Sequence, residues 1–203
     1  MRSEFPVGAL LLALVFLTGC SGLRQGSGLN TADLGGKQAP DFALVNQLGE
    51  PVRLGDLRGK VVAITFLYTS CPDVCPIITT RFGEVYDKLG DARAKVALVV
   101  VTVDPEWDTP ERLRQYLEAQ GLQDKLLFLT GSRAELEPVW LAYFVGVIKE
   151  KAQVGADGKE GFYYVTHSNL VHLIDADGRA RVLIKGDKFT AEQLLSEVRR
   201  LLR

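Results

Sequence analysis

Cysteine is scarce in this chain, three residues in 203, and histidine scarcer still, at two. Three cysteines allow one pair and one singleton, so their placement says more than their number. Charge of one sign is missing as well. The 24 Lys and Arg against 25 Asp and Glu leave a net charge of -1, which excludes the basic footprint of a nucleic-acid binder and a polybasic strip for anionic lipid. The longest N-terminal apolar stretch, from Val7 to Phe16, is too short to span a bilayer as a helix. There is no internal repeat, and no proline follows Pro138. What remains is ordinary globular material, 47% hydrophobic and 8% aromatic, enough for one domain with a sizeable core.

The apolar stretch follows Arg2 and ends in Leu17-Thr18-Gly19-Cys20, the layout of a cleaved signal peptide. Leu-Thr-Gly-Cys resembles the bacterial lipobox, whose cysteine is acylated and becomes the mature N-terminus. The expected organisation is a removed signal peptide over 1–19, a lipidated Cys20 with a Gly- and Ser-rich flexible tether over 20–37, and a folded domain over 38–203. Acyl chains on Cys20 would hold the protein at the extracytoplasmic face of a bacterial membrane. The alternative is cleavage elsewhere, with Cys20 incidental.

Within the domain, residues 41–54 read as a hairpin turning over 46–50, and 61–68 as a strand buried on both faces. A helix over about 77–89 begins after Pro76, which its first turn tolerates. Further strands over 96–103 and 126–129 alternate with helices reaching Ala119 and over about 134–144, which implies parallel strands joined by helical crossovers. Two hairpins follow, 145–148 with 162–165 and 170–174 with 181–185. A final helix over 190–202 is capped by Thr190 and apolar on one face. This is an α/β, thioredoxin-like, three-layer arrangement with an N-terminal hairpin and an inserted β-hairpin before the loop of His167.

Cys71 and Cys75 are separated by three residues where the first long strand meets its helix. Helix N-terminal amides favour thiolate over thiol, so the pair can cycle between dithiol and disulfide or bind a soft metal such as Cu(I). A structural disulfide closing a small loop is the plainer reading, and it fits the position poorly, because strand-to-helix turns are where sites of open parallel sheets gather. A third ligand would come from His167, beside Ser168 and Asn169. His172, between Val171 and Leu173, reads as a packed or edge-strand histidine.

The run Phe66-Leu67-Tyr68-Thr69-Ser70-Cys71-Pro72-Asp73-Val74-Cys75-Pro76 resembles the Sco (synthesis of cytochrome c oxidase)/SenC family of copper-binding lipoproteins. So do Asp104-Pro105 with Asp108-Thr109-Pro110, and His167-Ser168 leading into Leu173-Ile174-Asp175-Ala176-Asp177-Gly178. The likeness covers roughly residues 38–203. It implies Cys71, Cys75 and His167 as ligands for one copper ion, Cu(I) or Cu(II), and a role in building the CuA centre of cytochrome c oxidase. The partner implied is the CuA-bearing oxidase subunit, with another periplasmic copper carrier or thiol reductant as a further one. Trp107 stands where a basic residue is common, and Thr166 replaces the family's usual aspartate before the histidine, which removes a possible partner for the imidazole.

Three functions compete: copper chaperone, partner-specific thiol-disulfide oxidoreductase keeping the CuA cysteines reduced, and peroxidase of the peroxiredoxin kind. The second loses ground as a general activity because the proline that ordinary thioredoxins place beside their cysteines is missing. The third needs a cation beside the thiolate, for which Arg81 is the nearest candidate in sequence. Asp104 and Asp108 read as helix caps or as an acidic patch for a partner, Trp107 as an exposed docking residue, and Trp140 as core.

Overall fold

In a computed structural model of the chain, residues 30–151 and 161–203 are described. The first element, β1 (Thr31–Asp33), is followed by β2 (Ala43–Asn46) and β3 (Pro51–Arg53). The Asn46 side chain shapes the turn between β2 and β3, accepting from the amides of Leu48 at 2.9 Å and Glu50 at 3.0 Å. Gly49 closes the turn at φ +79°, a backbone that side-chain-bearing residues rarely adopt.

The central strands are β4 (Val61–Leu67) and β5 (Val96–Thr102), parallel to each other and buried at all seven positions, as unbroken β-branched and apolar runs require. Between them runs α1 (Val74–Leu89), which starts three residues ahead of the sequence-based expectation and keeps Pro76 within its first turn. A Cβ at Gly83 would collide with the Leu122 side chain, so this helix comes close to the segment that follows the next helix. After β5 come α2 (Pro110–Ala119), β6 (Leu127–Thr130) and α3 (Arg133–Ala142). Thr109 caps α2, and Ser132 and Glu135 form a capping box on α3.

The inserted hairpin is β7 (Val147–Lys149) with β8 (Val165–His167), a separate two-stranded sheet. The chain then returns through β9 (Leu170–Ile174), β10 (Ala180–Lys185) and α4 (Ala191–Leu201), which packs on α1. The main sheet has eight strands in the order β1-β10-β9-β4-β5-β6-β2-β3, parallel across β4, β5 and β6 and antiparallel elsewhere. This is the expected thioredoxin-like α/β fold.

One boundary needs correction. Residues 31–33, assigned to the tether, form an edge strand on β10, with Leu34 N donating to Arg181 O at 3.1 Å. The short sequence Thr-Ala-Asp carries no strand periodicity, so its pairing is a tertiary effect. The expected signal peptide, Cys20 and the start of the expected tether lie outside the described residues.

Candidate metal centre

The site forms where β4 ends and α1 begins. Cys75 is fully buried and Cys71 nearly so, and both are free thiols. Asp73, at the N-cap of α1, makes no side-chain cap; the amides of Asp73 and Cys75 instead donate to the Cys71 sulfur. The sulfur thus takes the place of a capping oxygen, where the helix dipole favours an anion. With the Cys75 thiol donating to it first, then these amides and the Tyr68 hydroxyl, Cys71 is lowered from 9.0 to about 6 despite burial. Cys75 is pushed strongly upward, by its bond to Cys71 and then by burial. The pair therefore favours the negative charge on Cys71 and the proton on Cys75.

Tyr68 stands between these sulfurs and the inserted hairpin. Its hydroxyl donates to Cys71 and accepts the Val165 amide at 3.3 Å, and burial pushes it up to about 12, so it keeps its proton. Its ring meets His167 edge-on, centroids 5.9 Å apart. The His167 ring is mostly out of water, which lowers its pKa and keeps it neutral. Nδ1 lies 3.3 Å from the Ser168 carbonyl; donating there leaves the Nε2 lone pair free. Among the described residues, no three Cys, His, Asp or Glu side chains are grouped closely enough to hold one ion. The structure therefore brings Cys71 and Cys75 together and sets His167 across Tyr68 from them.

His172 has no part in the site. It is buried in β9, its Nε2 3.0 Å from the Tyr143 carbonyl and its ring edge-on to Tyr143 and Phe66, and burial lowers it to about 4. The expected pair of readings for the two aspartates fails in both arms. Asp104 and Asp108 are fully buried, so neither is a surface patch, and the cap of α2 is Thr109. Asp108 accepts from the Thr69 amide at 3.2 Å, from the Thr69 hydroxyl and from Thr102 Oγ1 at 2.5 Å, pinning the cysteine loop to the end of β5. Burial holds it near 6, above its ordinary 3.8. Trp107 is 41% exposed, with the Arg112 guanidinium 3.7 Å from its ring centroid, while Trp140 is core and donates to Thr102 O at 2.9 Å. Arg81 donates to the Asp187 carbonyl and lies over the Phe189 ring, engaged with the segment ahead of α4.

Sequence reasoning missed Tyr68 and Asp108 as parts of the centre. The signal for Tyr68 was a hydroxyl at the end of an otherwise apolar buried strand, three residues before a cysteine, where such a group needs a partner.

A family model described as SCO1/SenC matches residues 31–203. The chain belongs to the SCO1/SenC family. A SCO2-like protein of Rickettsia felis is 33% identical over 139 residues, covering 68% of this chain and 65% of that protein. The chain thus spans just under two thirds of the length of this relative. The solved structure of Bradyrhizobium japonicum ScoI with copper bound is 34% identical, covers 81% of this chain and 99% of that one, and superposes with a TM-score of 0.70. A structure of BsSco, described as a member of the Sco family of cytochrome c oxidase assembly proteins with a disulfide switch, is 29% identical, with a TM-score of 0.63 and coverage of 82% and 94%.

Proposed function

We propose that this Sco protein is a copper chaperone. It holds one copper ion through Cys71, Cys75 and His167 and passes it, by ligand exchange, to the CuA-bearing subunit of cytochrome c oxidase. It works from a lipid anchor on Cys20 at the extracytoplasmic face of a bacterial membrane. The observation that carries the reading is the donor set: a sulfur poised as thiolate at a helix N-terminus, a second sulfur hydrogen-bonded to it, and on β8 a neutral imidazole whose Nε2 is free when Nδ1 donates to the Ser168 carbonyl. Thiolate and imidazole suit copper, and the copper-bound relative at 34% identity has the same fold. Among the described residues no helix is long and apolar enough to cross a membrane.

Thiol-disulfide reduction of the oxidase subunit is the second reading, favoured by the inequality of the two sulfurs. The Cys71 thiolate attacks a partner disulfide and one partner sulfur leaves as thiolate. Cys75 then gives up its proton and attacks the mixed disulfide, so the partner gains two electrons and the Cys71–Cys75 disulfide forms. Anaerobic copper titration of the reduced protein, with X-ray absorption on wild type and His167→Ala, separates the two. One tightly bound copper with two sulfurs and a nitrogen lost in the variant supports the chaperone; no copper binding leaves the reductase.

A further inference from the structure

A buried carboxylate at the foot of the inserted hairpin is left unused by either function. Asp104 follows β5, its amide bonded to Thr102 Oγ1 at 3.0 Å and its carbonyl accepting from Trp107 and Asp108. Its side chain is fully out of water. Tyr163 Oη donates to Oδ2 at 2.7 Å, and Lys149 Nζ stands 3.6 Å from Oδ1, which has no hydrogen bond. Lys149 also lies 4.1 Å from the Tyr163 ring centroid and 3.7 Å from Glu106, which in turn meets Arg133 of α3 at 3.1 Å.

Lys149 belongs to β7 and Tyr163 to the segment leading into β8, so one carboxylate grips both sides of the hairpin. In its register Lys149 pairs with Val165 and Val147 with His167, and alternation puts those four residues on one face. Asp104 holds the face that His167 shares. Two strands of three residues do not stay folded by themselves, and a buried charge with one hydrogen bond is costly. Stability alone would favour an apolar residue here.

We propose that Asp104 is a positioning residue for His167: by clamping Lys149 and Tyr163 it seats the hairpin and sets where the imidazole stands relative to Cys71 and Cys75. The proposal rests on the reading of His167 as a ligand. Its consequences are specific to the hairpin, since the sulfurs are held by α1, Tyr68 and Asp108.

The test compares the full chain as wild type, Asp104→Asn, His167→Ala and the double variant. In the metal-free protein, Asp104→Asn should speed amide exchange across β7–β8, including the Glu150 amide that bonds Tyr164 O at 2.9 Å, about tenfold, and move the His167 ring nitrogen signals. It should weaken copper binding about tenfold and diminish the nitrogen signature of bound Cu(II), yet change nothing further once His167 is alanine. The Cys71–Cys75 reduction potential should stay put. Unchanged exchange and ring signals, or an equal loss of copper affinity in the His167→Ala background, overturn the clamp. If Asp104→Asn fails to fold, Tyr163→Phe with Lys149→Met opens the same clamp from the hairpin side. Should wild type bind no copper, or bind it equally without His167, the ligand reading fails, while the metal-free exchange and ring signals still decide the clamp.

Discussion

The cysteine loop hangs from a seven-residue strand buried along its whole length, whereas His167 ends a three-residue strand in a sheet of two. Cys71 is fixed by helix amides, by Cys75 and by a turn that Asp108 holds from below. The histidine half depends on Tyr68 above and Asp104 below, with Ile148, Phe162 and Tyr164 turned to solvent. A centre built this way keeps its sulfurs in place and leaves its nitrogen on the more easily displaced element. Under the proposed chaperone role, His167, on the shorter support, is the ligand to let go first.

The largest effect that would break this contrast is in stability. Phe66 is fully buried in β4 and packs its ring against Tyr143 at 5.7 Å and His172 at 6.2 Å. Phe66→Ala is expected to cost about 3–5 kcal/mol. Ile148→Ala, on the outer face of β7, is expected to cost less than about 0.5 kcal/mol. Urea denaturation reads both, and comparable losses would mean that the hairpin is as deeply integrated as the sheet.

The same contrast explains what the sequence made legible. β4 and β5 declare themselves by unbroken β-branched runs, and the cysteine pair stands at a strand-to-helix junction that can be read from the alternation of elements. His172 was recognisable as core from its apolar neighbours. The edge strand at 31–33 was not, because three residues carry no period and their partner lies about 150 residues away. Asp104 and Asp108 looked like surface groups beside a helix start. Their burial follows from the way the β5–α2 loop tucks under the cysteine loop and the hairpin, a long-range arrangement that no local pattern encodes. Whether Cys71 and His167 approach each other was equally illegible, since it turns on one tyrosine hydroxyl.

A second test concerns the floor of the cysteine half. Burial raises Asp108 from 3.8 to about 6, ahead of the Thr102 and Thr69 hydrogen bonds that oppose the shift. A carboxyl whose folded pKa is raised disfavours the charged form, so its cost is absent below about 3.8, grows between 3.8 and 6, and is complete above 6. The cost at neutral pH is about 3 kcal/mol. Asp108→Asn should therefore gain stability relative to wild type as pH rises from 4 to 7, by up to that amount, in paired chemical denaturation. A difference that does not vary with pH would show that the charge is not buried as described. No such trend is expected for Ile148→Ala.

The smallest effect tests the place where the two halves meet. Cys71, lowered from 9.0 to about 6, should be alkylated by iodoacetamide with a rate that rises through a midpoint near pH 6, while Cys75 stays inert over that range. Cys71→Ser should abolish the fast phase. Tyr68→Phe removes one donor among several, with Cys75 and the helix amides still in place, so the midpoint should move upward only slightly. The same substitution deprives the Val165 amide of its acceptor, 3.3 Å away, and should speed its exchange. A shifted midpoint with faster Val165 exchange makes Tyr68 the joint between sulfur and hairpin. If exchange at Val165 rises and the midpoint does not move, the hydroxyl serves the hairpin alone and the sulfurs are set entirely by α1.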